Sequence, residues 1–143
     1  MAKIEFKLPE DFLQKVSQLE EKTDEIIPRV LETGGNVVLE QVRSNLQAVV
    51  GRGTKYPSQS TGELTRNLGL SPAKMDKNGD FNVKVGFSEP HSGGVTNAML
   101  ANILEYGKHG QPPKPFLKPA KSQSRVPCIE AMKSKLEEEM NNL

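Results

Sequence analysis

The sequence predicts a single α+β domain in which a long N-terminal helix and a C-terminal helix pack on a small antiparallel sheet that contains a β-hairpin. Two patterns lead to this fold class. Apolar residues recur at helical spacing towards both ends of the chain, and a short central segment alternates strictly between apolar residues and polar residues or glycine. With 143 residues the chain can bury one modest hydrophobic core. We therefore expect residues 1–143 to form one domain with long loops.

Composition narrows the classes of function. Nineteen basic side chains oppose eighteen acidic ones, so no overall field attracts the chain to nucleic acid or to an anionic membrane. Aromatic residues make up 5% of the chain and Trp is absent, which leaves little material for a base-stacking platform or an aromatic ligand pocket. Cys128 is the single cysteine, and no apolar run approaches the length of a membrane span. We expect a soluble protein of a reducing compartment, with no cofactor and no membrane contact.

The first third of the chain carries a long apolar stripe at helical spacing. Pro9 can begin the helix because the first turn needs no amide donor there. The stripe consists of Phe12, Val16, Leu19, Ile27, Val30, Leu31, Val38, Val42, Leu46 and Val49. Gly34 and Gly35 weaken a helix interior by about 1 kcal/mol each. We predict one long helix as far as Val49, bent at Pro28 or at the glycine pair.

A short helix is expected before the hairpin, over residues 61–68. Ser60 or Thr61 can cap its N-terminus. Leu64 and Leu68 lie one turn apart, which places them on the same face.

The β-hairpin is indicated by Phe81, Val83, Val85 and Phe87, which alternate with polar residues or glycine. Asn78 and Gly79 readily adopt the positive φ angles of a tight turn. Residues 69–76 should therefore pair with residues 81–87. Pro72 cannot donate a hydrogen bond to the ladder, so it implies a sheet edge or a bulge.

Two helices are expected after the hairpin. Thr96 or Asn97 can cap the first, which ends at Gly107 and carries the apolar residues Met99, Leu100, Ile103 and Leu104. The second lies at the C-terminus and carries Ile129, Met132, Leu136 and Met140 at helical spacing. We expect this C-terminal helix to pack antiparallel to the N-terminal helix, over one face of the hairpin.

Three segments are expected to be extended loops, at residues 51–60, 88–97 and 108–120. They are more polar and longer than ordinary connections, which suggests that they become ordered on assembly. The third is a proline-rich arm with prolines at positions 112, 113, 115 and 119. Proline fixes φ and removes a backbone donor, so this arm must lie on a surface, either its own or that of a neighbour.

Phe116 and Leu117 lie between the prolines of this arm. Large apolar side chains are costly to leave in water, so two positions are open for them. They pack on the core of their own chain, or they anchor the arm in a neighbouring subunit, where a preorganised arm loses little entropy on binding.

No residue cluster predicts a catalytic or metal site. His91 and His109 have no partners at metal-ligand spacing, and no local pattern activates Cys128. A basic run surrounds the arm and consists of Lys108, His109, Lys114, Lys118, Lys121 and Arg125. It forms either a solvated face or a contact with an acidic surface, for which the glutamates at 137–139 are an available complement in a head-to-tail ring.

Four motifs occur in an order that resembles a known family. They are Thr-Gly-x-Leu at residues 61–64, a short strand at 82–86, Leu-Glu-x-Gly at 104–107, and Pro-Phe-Leu-x-Pro-Ala at 115–120. Together they resemble the small neck, or tail-completion, proteins of long-tailed bacteriophages, the gene-product-ten-like tail-component family, over residues 10–140. The chain departs from the usual pattern at Lys108, where the family commonly has Thr.

The resemblance implies a structural virion protein without catalytic activity, assembled in the cytoplasm of the bacterial host. It implies a homo-oligomeric ring, which we expect to be hexameric, that joins the tail to the head at the neck. The expected partners are head-closure or connector proteins and tail-terminator or tail-tube proteins, with no specific nucleic acid, although DNA could pass through the ring. The expected assembly contacts are Tyr56, Thr61, Leu64, Glu105, Tyr106, Pro115, Phe116, Leu117, Lys118 and Pro119.

Two other functions remain open at the level of the sequence. The basic run could make the chain a nucleic-acid-binding module, which salt-dependent DNA binding would reveal. Alternatively, the chain could be a small enzyme or nuclease accessory that acts as a monomer, with Glu105 and His109 as its acid–base pair.

Overall fold

The computed structural model describes residues 10–50, 63–88 and 97–143. It confirms the α+β class, with long N-terminal and C-terminal helices and a small antiparallel sheet of two strand pairs. In chain order the elements are α1 (Glu10–Glu21), α2 (Thr23–Val49), α3 (Glu63–Arg66), β1 (Leu68–Leu70), β2 (Lys74–Met75), β3 (Phe81–Asn82), β4 (Val85–Phe87), α4 (Asn97–Tyr106) and α5 (Leu117–Asn141).

The N-terminal helical region consists of two helices that are separated at Lys22, and not of the one long helix that the sequence predicted. Lys22 has φ −102° and ψ 9°, which separates α1 from α2. Pro28 lies inside α2 without ending it. Gly34 and Gly35 also lie inside α2, where both are buried. The prediction of one long helix was therefore wrong at Lys22, whereas the bend at Pro28 or at the glycine pair stays a prediction.

Helix α2 and helix α5 pack closely and run antiparallel. Arg29 near the start of α2 pairs with Glu139 near the end of α5, at 3.0 Å. Towards the other end, the Asn45 Nδ2 donates to the Gln123 Oε1 at 2.9 Å. Between these points, Gly34 lets the helices approach so closely that a Cβ placed there would lie 2.6 Å from the Met132 Cγ. The glycine pair that weakens an isolated helix is thus used for packing.

The hairpin lies mainly on α2 and has an interruption in its ladder. Leu70 pairs with Val85, and Lys74 pairs with Asn82. Between these two pairs, the first side of the hairpin has three residues, 71–73, and the second side has two, 83–84. One extra residue on one side is typical of a β-bulge. Pro72, which has no N–H to donate, is the middle residue of the three. Gly79 has φ +84° in the turn, as expected from its position after Asn78.

The short helix before the hairpin is shorter than the sequence predicted. It ends at Arg66, and Leu68 is the first residue of β1. Both Leu64 and Leu68 nevertheless face the core. Thr61 and the loop at 51–60 lie outside the described residues.

The buried core joins α2 to α3, β1, α4 and α5. It is formed by Leu39, Val42, Leu46, Leu64, Leu68, Ala101, Phe116 and Ala120. None of the helices within the described ranges is long and apolar enough to cross a membrane. The core is small, and its centre holds the link between α4 and α5.

Candidate functional site

The connection from α4 to α5 is the segment on which the sequence placed most of its assembly contacts. Helix α4 ends through Gly107, which has φ +78° and donates its N–H to the carbonyl of Ile103 at 2.8 Å. A Cβ at position 107 would lie 2.8 Å from the Gln111 carbonyl oxygen and 2.8 Å from the Pro113 nitrogen. Both the left-handed backbone and the close approach therefore require glycine here.

The proline-rich segment folds back onto its own chain. Lys108 and Gln111 exchange two backbone hydrogen bonds, of 3.0 and 2.9 Å, around Gly110, which has φ +80°. The Lys114 N–H then donates to the Leu104 carbonyl at 2.6 Å. The expected arm over 108–120 is corrected in two ways: its first part is a tight turn held against α4, and its last residues, from Leu117, belong to α5.

Glu105 forms the link between the two helices. Its carboxylate is buried, and its two oxygens accept the backbone N–H groups of Phe116, Leu117 and Lys118 at 2.8, 2.9 and 2.9 Å. These are the donors that the start of a helix leaves without a partner inside the helix. Helix α4 thus caps α5 with a side chain, whereas Phe116 at the N-cap of α5 makes no side-chain cap.

Every backbone N–H group from Phe116 to Ala120 has a hydrogen-bond acceptor. Pro119 has no N–H, so it leaves nothing to satisfy in the first turn. The Ala120 N–H donates to the Phe116 carbonyl at 3.4 Å. A carboxylate at a helix N-terminus is also favoured by the helix dipole. Pro119 was expected to be a contact of the arm, but its position suits the beginning of a helix.

The pKa of Glu105 reflects two opposing influences. Burial of the carboxyl raises its pKa, because burial disfavours the charged form. The three backbone donors, of Leu117, Phe116 and Lys118, together with the positive charge of Lys118, lower it. The net result is a pKa below the ordinary value for Glu. The side chain is therefore an ionised acceptor with a fixed structural role, which argues against its use as a general acid or base.

Phe116 lies fully inside the core of its own chain. Its side chain is 0% exposed and packs edge-to-face against Phe87, with ring centroids 6.2 Å apart. The Asn45 side chain donates to its carbonyl at 3.2 Å. The sequence left two positions open for Phe116, and the structure places its side chain in the core of its own chain. Phe116 as an anchor in a neighbouring subunit was therefore wrong for this conformation of the chain.

The remaining predicted contact residues fall into three groups. Leu64 is buried in the core. Tyr106, Pro115, Leu117 and Lys118 are at the surface, and Tyr106 is 76% exposed. Tyr56 and Thr61 lie outside the described residues. Surface contacts with a partner thus remain predictions for the second group.

An apolar groove between α5, α2 and β4 was not predicted from the sequence. It has a volume of about 400 Å³, and its walls are formed by Val38, Val42, Val85, Leu117, Lys121, Ser124, Arg125, Cys128 and Ile129. We call it the α5 groove. The helical stripe of α5 was visible in the sequence, but the groove also needs Val85, which only the fold brings to this place.

The structure also changes the interpretation of the acidic residues at 137–139 and shows where the basic run lies. Glu139 pairs within the chain, with Arg29 at 3.0 Å and with Lys135 at 3.5 Å, so it is not an available complement for a neighbour. Lys118, Lys121 and Arg125 of the basic run are exposed on the first half of α5. His109 is exposed on the turn after α4.

Comparison with known proteins identifies the family. The family model described as "Bacteriophage HK97-gp10, putative tail-component" matches residues 10–107 of the 143. The match runs from α1 to Gly107, and the resemblance over residues 115–120 lies beyond it. Neither curated proteins nor solved structures gave a significant match. The chain therefore belongs to the HK97 gp10-like family of bacteriophage tail components.

Proposed function

We propose that this protein is a neck, or tail-completion, subunit that forms a ring at the head–tail junction and joins the tail to the head. The observation that carries the proposal is the family match over residues 10–107. The order of the four sequence motifs resembles that of neck proteins, which favours the neck as the position in the virion. Its location in the particle would then be the head–tail junction, reached after assembly in the host cytoplasm.

The surface is compatible with a subunit that assembles. Large apolar side chains are exposed on several described elements, including Leu13 and Val16 on α1, Met99 on α4 and Val126 on α5. Single exposed apolar residues are ordinary, but the α5 groove is a continuous apolar depression that water fills at a cost. A ring of identical copies would cover such surfaces. We propose six copies, in contact with head-closure or connector proteins on one side and tail-terminator or tail-tube proteins on the other.

The proposal also holds that the protein is not an enzyme. Glu105 was the residue on which an acid–base mechanism depended, and its carboxylate is occupied by three backbone donors. A lowered pKa further removes it from the range of a general base or acid that works near neutral pH. The exposed His109 then has no assigned acid–base partner.

Deletion of the gene from its phage tests the proposed function. We expect the mutant phage to produce filled heads and complete tails that remain separate, because each part assembles without the joining ring. Electron microscopy of lysates would count joined and separate particles, and expression of the wild-type protein in trans should restore joining. Infectious particles with normal tails from the deletion mutant would contradict the proposal. Binding of the pure protein to DNA at physiological salt would instead favour the nucleic-acid-binding function.

A further inference from the structure

We propose that α1 of one copy docks in the α5 groove of the next copy, and that this contact builds the ring. The inference rests on the proposed function, since it names the surfaces that a ring of identical copies would use. The occupant is a second copy of this chain. The argument depends on matching apolar surfaces and on opposite charges around them.

The α5 groove is lined by apolar side chains and by two exposed cations. The apolar lining includes Val38 and Val42 of α2, Val85 of β4 and Ile129 of α5. The two cations are Lys121 and Arg125 of α5. Within the described ranges neither of these two cations has an acidic partner. A partner that carries acids beside apolar residues would therefore fit this groove.

Helix α1 has this composition on one face. Leu13 is 49% exposed and Val16 is 42% exposed. Glu10 and Glu20 are exposed too, and they lie three residues before Leu13 and seven after it, so the helical repeat puts them on the same side. The main neighbour of α1 within its own chain is α2, and these four side chains of α1 remain exposed. Helix α1 thus presents apolar residues flanked by acids to a groove flanked by bases.

The two surfaces lie apart on one chain. Helix α1 ends at Glu21, before the start of α2, whereas the groove is reached at Val38. At 1.5 Å per residue this separation is roughly 24 Å along α2. A contact between two different patches of identical chains is heterologous, and such contacts generate a closed ring when the rotation between copies closes. The geometry of one chain therefore fits a head-to-tail assembly.

Disulfide trapping tests the contact directly, because Cys128 lines the groove. Ser17 is exposed on the docking side of α1, and Ser17→Cys alters little else. Mild oxidation of this variant should give a ladder of disulfide-linked oligomers on a non-reducing gel. Adding Cys128→Ser should remove every band above the dimer. The matched control is Ser44→Cys, an exposed serine of α2 outside the groove, which should form no such ladder.

Charge reversal provides a second test. Lys121→Glu with Arg125→Glu, or Glu10→Lys with Glu20→Lys, should weaken self-association roughly five- to tenfold in sedimentation experiments at low salt. Combining all four changes in one chain should restore it, since the acidic groove then meets a basic α1. Lys77→Glu with Lys133→Glu, on exposed residues outside both surfaces, is the control for net charge.

The outcomes separate this inference from the proposed function. A ladder no stronger than that of Ser44→Cys, a fast-migrating monomer with an internal disulfide, or charge reversals without effect or rescue would overturn docking of α1 in the groove. If separate heads and tails still accumulate without the gene, the proposed neck function stands and another surface builds the ring. If heads and tails join normally without the gene, the neck function itself fails.

Discussion

A single carboxylate connects two helices in this protein. Glu105 lies in the last turn of α4 and caps the start of α5, because it accepts hydrogen bonds from three consecutive N–H groups of residues 116–118. Since Lys118 places a positive charge at the same helix start, the carboxylate also balances a charge that the helix dipole disfavours. The direction of α5, and with it the position of the α5 groove, depends on this residue.

Glu105→Gln should lower the free energy of unfolding by about 1.5–3 kcal/mol, because hydrogen bonds to a charged acceptor are stronger than those to an amide. The amide also turns an NH₂ group towards a backbone donor. Urea denaturation at neutral pH measures the effect. Glu130→Gln, at an exposed position of α5, is the matched control and should change stability little. Equal stability of both variants would contradict the capping role.

The same residue predicts a dependence on pH. Its pKa is lowered in the folded chain, so its contribution to stability is complete above the ordinary Glu pKa of about 4.3 and is lost as pH falls through the lowered value. The stability difference between wild type and Glu105→Gln should therefore shrink as pH falls below about 4.3. A difference that stays constant down to the acid transition would show that the charge of Glu105 is not the cause.

Phe116 and Leu117 are adjacent, but we expect their replacement by Ala to affect different properties, namely the stability of the monomer and its association. Phe116→Ala removes a side chain that is 0% exposed and should lower the stability of the monomer by about 3–5 kcal/mol. Leu117→Ala changes a side chain that is 36% exposed at the α5 groove, so it should lower the melting temperature much less than Phe116→Ala does and should weaken association. Calorimetry and sedimentation on both variants check this. A stable Phe116→Ala monomer that fails only in association would restore the anchor interpretation.

Helices α2 and α5 approach each other closely at Gly34. Gly34→Val would place atoms where Met132 lies, because a Cβ alone would come within 2.6 Å of the Met132 Cγ and 2.7 Å of its Sδ. We expect a loss of stability of about 1–3 kcal/mol in the wild type. The loss should be smaller in a Met132→Ala background, and the difference is the coupling energy of a double-mutant cycle.

Asn36→Val is the control for this cycle, since it introduces the same β-branched residue at an exposed position of the same helix. It should show no coupling to Met132→Ala. A loss at Gly34 that is the same in both backgrounds would mean that contact with Met132 does not set the need for glycine.

Elements that depend on local pattern were predicted well from the sequence, and those that depend on tertiary contacts were not. The hairpin needs only alternation and a turn, and its two segments, its turn at Gly79 and its interruption at Pro72 follow from neighbouring residues, whereas Leu68 was placed in the preceding helix and pairs in β1. The start of α5 was missed because Pro119 was taken as part of an arm, although proline fits the first turn of a helix. Its cap comes from another helix, which sequence spacing does not reveal.

The same distinction holds for the candidate site. Glu105 and Phe116 were both selected from their motifs, but their roles depend on partners eleven or more positions away and on α2. Gly107 was correctly assigned as the end of α4, because a helix stop is a local signal. The α5 groove was missed, since Val85 and α5 meet only after the hairpin has folded onto α2.

At the scale of the whole molecule, a nearly neutral chain that forms the proposed ring would have to associate through local surfaces. The net charge of +1 gives neither strong repulsion between copies nor strong attraction to a charged partner. Exposed acids nevertheless lie on α1, and exposed bases lie on the first half of α5. In the proposed contact these charges would favour one orientation between neighbours, whereas the apolar residues beside them would supply the free energy of contact.

The last prediction concerns association of the purified protein. We expect a monomer at low concentration and larger assemblies at high concentration, because each contact covers a small groove and mass action must add to it. Moderate NaCl should weaken the assembly by screening charges beyond about 10 Å at 0.1 M, whereas ammonium sulfate should strengthen it by favouring apolar burial. Light scattering over a concentration series in each salt measures both effects. A monomer under every condition, which also fails to co-purify with any tail or connector protein, would count against assembly into a ring.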